Sequence, residues 1–429
     1  LWESEAPSWV TDGVFIDPVS TGFSRAAEGE DAKLFHGVSE DVKWMAEFIR
    51  LYATRNGRWG WPACLAGESS GPTRAAAPAP HLQDRHGFYL SGLMLISSIL
   101  DFSTAYFVPG HDLPYILYVP TYTATAHYHR ALPKDLQARP LRDVLDEVEA
   151  FAIGDYATAL LQGDRLDAAT ADDIAERLAR YTGLGVDYVR SANLRLRIGR
   201  FCKELLRSRR MTVGRLDSRY TGHDTDAAGE AFEHDPSYAA TPGPYTATLN
   251  DYVRRELGYE SDVPYEILTD KVHPWKYDTA ENRFLSVAGD LRAAMTKNPH
   301  LRVYVANGYH DLATPYFATR HTFDHLGLEP HLRGNVRMGY FEAGHKMYVL
   351  VGGSKGSCVR AEAARMSEQG WLRHSVQTVT ITSSNDHVVR STESSVTRIR
   401  TSAVPNWAYA SSRGSVTWCS CTAHPRLAW

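Results

Sequence analysis

Apolar positions in the first part of the chain come in short blocks separated by stretches of helical spacing. Gly13-Val14-Phe15-Ile16 is followed at once by Asp17-Pro18, which predicts a buried strand ended by a turn, because proline cannot donate to a ladder. Val42, Met45, Phe48, Ile49 and Tyr52 recur at three and four residues and predict a helix over Val42 to Ala53. Ala63-Cys64-Leu65-Ala66 reads as a second strand and Leu90 to Ile99 as a third. Strands alternating with helices are the pattern of a parallel sheet covered by helices, so residues 1–131 read as α/β.

From Leu132 the strand pattern stops. Helices are predicted over Val144 to Leu161 and Ser191 to Leu206, and Thr170-Ala171-Asp172-Asp173 has the form of a capping box before Ile174, Leu178 and Tyr181. A helical stretch of this length, assigned to residues 132–280, reads as an insertion, a lid or second domain rather than a loop. The α/β pattern resumes over residues 281–352. A strand is predicted at Arg302 to Gly308, a helix at Phe317 to Leu326 and a further strand at Val336 to Glu342.

The texture changes again after Val351. Between Gly353 and Trp429, about 22 of 77 residues are Ser or Thr, nine are Lys or Arg, four are acidic and none is Phe. Val376 to Ile381 alternates like a strand but stands alone.

Composition narrows the classes. The 429 residues are 43% hydrophobic and 22% charged, with a formal charge of −4, which excludes a disordered or fibrous chain and gives no overall basicity to draw nucleic acid or an anionic membrane. No run reaches the roughly 20 apolar residues a membrane-spanning helix needs. Cys64, Cys202, Cys358, Cys419 and Cys421 form no CxxC pair, so neither a zinc site nor a disulfide framework is implied. His321 and His325 share a helical face but lack a third ligand, and read as a solvated face. The basic stretch Leu194 to Arg210 carries Leu194, Ile198, Phe201 and Leu205 at helical spacing, which marks an amphipathic helix rather than a nucleic-acid surface.

The sharpest chemical pattern is Gly67-Glu68-Ser69-Ser70-Gly71, a G-x-S-x-G directly after the strand ending at Ala66. A tight strand-to-helix turn needs small residues on both sides and thrusts the Ser69 hydroxyl clear of the backbone. A lone hydroxyl is a poor nucleophile, so a base and an orienting acid are required elsewhere, in the order Ser, acid, His. Asp311 follows the strand at Val303 to Ala306, and His345 follows the strand ending near Glu342. Both fall at carboxyl ends of expected parallel strands, where open α/β sheets place their sites.

Taken together, Val14 to Ser24, Gly67-Glu68-Ser69-Ser70-Gly71, Asn307-Gly308-Tyr309-His310-Asp311-Leu312-Ala313-Thr314-Pro315 and Glu342-Ala343-Gly344-His345 resemble the serine carboxypeptidase family, especially its bacterial members. The resemblance runs from about Asp12 to about Val349 and implies an α/β-hydrolase fold with a helical cap and no metal or cofactor. It implies Ser69 as nucleophile, His345 as base, Asp311 as orienting acid, the Ser70 backbone N–H in the oxyanion hole and a peptide C-terminus as substrate. Glu68 would, protonated, donate to the substrate carboxylate, which favours acid pH because close like charges raise one pKa. Export to an extracellular or periplasmic site is implied by the resemblance alone; oligomeric state is left open. An esterase or acyltransferase on the same three residues, and a peptide-binding remnant, are the alternative expectations.

The departures are specific. The family's Gly-rich segment, which supplies one oxyanion N–H, has no counterpart before Asp17-Pro18, and losing one such donor costs roughly 3–4 kcal/mol of transition-state stabilisation. Ser70 stands where the family often has Tyr, and Lys346 where an apolar residue is common. The chain reads as a fragment without its natural start, and residues 353–429 as an out-of-frame translation, the alternative being a genuine accessory extension.

Overall fold

In a computed structural model, the structure describes residues 11–347, together with the backbone of four short segments within 376–421. The protein is a mixed α/β molecule around a mostly parallel central sheet. Its strands are β1 (Thr11–Ile16), β2 (Ala63–Ser69), β3 (Gly92–Ile96), β4 (Thr212–Val213), β5 (Thr221–Gly222), β6 (Arg302–Gly308), β7 (Val336–Phe341), β8 (Val376–Ile381), β9 (Val396–Arg398), β10 (Tyr409–Ser411) and β11 (Ser420–Cys421). The order across the sheet is β7-β6-β3-β2-β8-β1-β10-β9, with β11 beside the end of β2, while β4 and β5 form a separate two-stranded pair. From β7 to β1 every pairing is parallel; β10 and β9 continue antiparallel.

The parallel strands read as continuous apolar runs because both faces are covered. Val14, Leu65, Leu93, Val303 and Val305 lie in one core with Met45, Ile49 and Tyr52 of the helix Val38–Arg55, whose buried stripe has the three- and four-residue spacing read from the sequence. Burying one such side chain contributes about 1.5–3 kcal/mol, which is why the spacing rather than helix propensity sets this element. A second core is helical. It joins Leu113–Tyr128, Leu141–Phe151 and Ala168–Thr182 to Leu312, Tyr316 and Phe317, which flank the loop carrying Asp311.

Three local expectations are corrected. The helix Ala168–Thr182 is capped by Asp167, whose side chain accepts from the Thr170 N–H, so Thr170 lies inside the helix instead of capping it. Of the expected helix Ser191 to Leu206 only Ile198–Glu204 is helical; a preceding helix, Val186–Ser191, ends where the expected one begins. Asn193 and Leu194 between them take φ of 51° and 62°, held there by the Arg195–Asp112 ion pair and by the Tyr156 hydroxyl on the Leu194 carbonyl. Tertiary anchoring thus overrides a favourable helical pattern. The strand at Val376–Ile381 does not stand alone: Val379 pairs with Val14 on one side and with Leu65 on the other, placing β8 between β1 and β2. Apart from β8 to β11, the Ser/Thr-rich segment lies outside the described residues, and nothing described bears on the reading of 353–429 as an out-of-frame translation.

Candidate active site

Ser69 ends β2 and is the turning point into the helix Gly71–Ala76, with φ of 64°. A left-handed φ at a non-glycine residue costs of order 1–2 kcal/mol, and such strain collects where function needs it. The closeness of the turn is visible at Gly67, where a Cβ would lie 2.3 Å from the Gly71 carbonyl carbon, so no side chain fits there. Gly67 therefore has a steric reason. Ser69 is half-buried, and Glu68 is 2% exposed.

Asp311 follows β6 and His345 follows β7, both at the same end of the sheet as Ser69. Asp311 is fully buried. Its Oδ1 accepts the Ala313 and Thr314 N–H groups at 2.8 and 3.0 Å, and its Oδ2 accepts the Thr314 hydroxyl at 2.6 Å. His345 Nδ1 lies 2.8 Å from the same Oδ2, so the carboxylate orients the ring and leaves Nε2 pointing away from it. Nε2 lies 3.9 Å from Glu68 Oε1. Among the described contacts, none is a hydrogen bond between Ser69 Oγ and His345 Nε2; in unliganded sites such bonds are often long and tighten only with substrate. The structure thus joins Asp311, His345 and Glu68 by contact and places Ser69 at the end of β2, next in sequence to Glu68.

Two buried histidines occupy this region, and their surroundings separate them. His310 has no carboxylate partner; burial, aided by Arg219, drives its pKa down to about 3, which leaves it neutral. For His345, burial lowers the pKa, but the charge and hydrogen bond of Asp311 and the charge of Glu68 more than offset it, and the net shift is upward. Of the two, His345 has the partner that stabilises an imidazolium, which makes it the candidate base. A base raised above 6.5 is neutral only on the alkaline side of that value, in the direction opposite to the acid-pH expectation attached to Glu68.

Several supports escaped the sequence reading. The segment Arg215–Ser218 straps the loops carrying Asp311 and His345: Leu312 N–H donates to the Arg215 carbonyl at 3.0 Å, His345 N–H to the Leu216 carbonyl at 2.7 Å, and Ser218 N–H to the His310 carbonyl at 2.9 Å. Asp235 and Ser237 hold the strap from behind, accepting from Arg215, Leu216 and Asp217. Ser97, after β3, donates to the His345 carbonyl at 2.7 Å. Thr314 had a readable signal, since an Asp three residues ahead commonly caps such a turn. The strap had none, being about 95 residues from one of the loops it holds and about 130 from the other.

A scan against models of known protein families finds no match, and a search of curated proteins likewise finds none. The site therefore rests on its own geometry. Among the described residues no group of three His, Cys, Asp or Glu is disposed to hold a metal ion, and no helix is long and apolar enough to cross a membrane. His321 and His325 stack at 4.0 Å, with His325 Nδ1 on the His321 carbonyl. The oxyanion donor expected at Ser70 is the backbone N–H directly after Ser69, on the first turn into the short helix.

Proposed function

We propose that the protein is a serine-type carboxypeptidase of α/β-hydrolase architecture, with the helical region between β3 and β6 acting as its cap. The observation that carries the reading is the order and placement of three groups: a strained Ser69 at the end of β2, and a buried Asp311–His345 pair after β6 and β7. Ser69 Oγ attacks the carbonyl carbon of the last peptide bond while His345 Nε2 takes the hydroxyl proton. The tetrahedral oxyanion is met by the Ser70 N–H. His345 then gives the proton to the leaving amine, the C–N bond breaks, and water deacylates Ser69 by the same proton path in reverse. Glu68, buried beside Nε2, is positioned to meet the C-terminal carboxylate when protonated.

Quantifying free amino acids released from peptides with blocked and free C-termini tests the reading. Release only from free C-termini, lost in Ser69→Ala, is the expected result. Hydrolysis of simple esters without any amino acid release would favour the esterase reading, which the same three residues serve equally well.

A further inference from the structure

Ser97, Ser98 and Ile99 follow β3, the strand that lies between β2, which ends at Ser69, and β6, which leads to Asp311. The last pairs of the ladder, Ile96 with Glu68 and Ile96 with Ala306, put this turn directly beyond both neighbours. All three residues are buried, and Ser97 takes φ of 47°. A left-handed φ at a non-glycine residue persists only where the surroundings over-determine it.

Each residue of the turn is bonded to a different part of the candidate site. The Ser97 hydroxyl donates to the His345 carbonyl at 2.7 Å. The Ser98 carbonyl accepts the Thr319 hydroxyl at 2.9 Å, from the helix Tyr316–Asp324 that follows Asp311. The Ile99 carbonyl accepts the Thr73 hydroxyl at 2.6 Å, from the helix Gly71–Ala76 that follows Ser69. Thr73 and Thr319 are themselves buried, and the Ser97 N–H donates to the Ala306 carbonyl of β6 at 2.9 Å. Strand pairing stops at Phe341, short of His345, so the ladder alone does not fix the base.

We infer that the Ser97–Ile99 turn fixes the nucleophile, the acid and the base to one another, with Ser97, Thr73 and Thr319 as positioning residues that act through it. The inference rests on Ser69, Asp311 and His345 acting as proposed. A buried carbonyl that loses its donor shifts to find another, and a displacement of about 1 Å at a reacting group costs on the order of 100-fold in rate.

The test is the second-order rate of fluorophosphonate labelling of the full chain in Ser97→Ala, Thr73→Val and Thr319→Val, each of which removes one hydroxyl and no charge. Thr322→Val is the matched control, because Thr322 is buried on the same helix as Thr319 but spends its hydroxyl on the Ala318 carbonyl of that helix, at 3.1 Å. The expected rate is lower by roughly 10- to 100-fold in Ser97→Ala and by at least about 3-fold in Thr73→Val and in Thr319→Val, with Thr322→Val labelling as wild type. Ser97→Gly suits the left-handed φ and loses the same hydroxyl, so it is expected to label as slowly as Ser97→Ala and serves where alanine folds poorly. The charges felt at His345 are those of Asp311, Glu68 and Lys346, none of which these variants alter, so a lower pH inflection in Ser97→Ala reports a ring moved from Asp311. Wild-type rates in Ser97→Ala and Ser97→Gly, or threonine variants no slower than Thr322→Val, overturn this inference alone. A wild-type chain that takes no label at Ser69 overturns the reading of Ser69 and this inference together.

Discussion

Replacing Asp311 by Asn isolates the role of one proton. In the native site Oδ1 accepts two backbone N–H groups, and Oδ2 accepts the Thr314 hydroxyl and the His345 Nδ1–H. An Asn side chain keeps its oxygen on Ala313 and Thr314 and places its NH₂ where Oδ2 was. One amide hydrogen can go to Thr314 Oγ1, and the other must go to His345 Nδ1. Nδ1 then becomes an acceptor and the ring proton moves to Nε2, the atom that should take the proton of Ser69. All four polar contacts are replaced, so the fold survives while the base is lost. The equivalent exchange in a Ser-His-Asp protease lowers the rate about 10⁴-fold. At about 1.36 kcal/mol per tenfold, that is roughly 5 kcal/mol of transition-state stabilisation. The assay is the second-order rate of fluorophosphonate labelling at Ser69, with the thermal midpoint measured in parallel. A rate within tenfold of wild type at an unchanged midpoint would refute the reasoning.

Four further outcomes are expected. The Asp311 and Glu68 charges raise the His345 pKa, so the activity inflection of the free protein lies above 6.5, and Glu68→Gln moves it down in a pH–rate profile of labelling. For stability the sign follows from the same shift. The protonated pair contributes fully below 6.5 and is lost as pH rises through the folded pKa, so the midpoint difference between wild type and His345→Gln shrinks above 6.5. Because Ser69 sits at φ of 64°, Ser69→Gly is expected to be more stable than Ser69→Ala by about 0.5–1 kcal/mol in urea unfolding, both being inactive; the reverse order would remove the strain argument. Val379→Pro takes the ladder N–H from the strand between β1 and β2 and should cost about 2–3 kcal/mol or more, whereas an unchanged unfolding midpoint would place that segment elsewhere.

The parts legible in sequence were those fixed by short-range physics. Continuous apolar runs marked β1, β2, β3 and β6, and a three- and four-residue stripe marked Val38–Arg55, because burial on both faces or on one stripe writes itself into local composition. Ser69 was legible because its turn demands Gly67, and Asp311 and His345 because strand ends are where such groups fall. What local pattern could not carry was the strap at Arg215–Ser218, which acts through backbone N–H and C=O groups that every residue has. Nor could it carry the break at Asn193-Leu194, where an ion pair across the fold outweighs helical spacing. The position of β8 was hidden for the same reason: strand alternation tells that a strand forms, and says nothing of which two neighbours it separates.

The central claim is that Ser69 is a nucleophile made competent by the Asp311–His345 pair. The most direct measurement is mass analysis of the chain after reaction with a fluorophosphonate. The account predicts one adduct, on the peptide containing Ser69, absent after Ser69→Ala and slowed by several orders of magnitude after His345→Gln. A folded protein that takes no label, or takes it at an equal rate without His345, would contradict it.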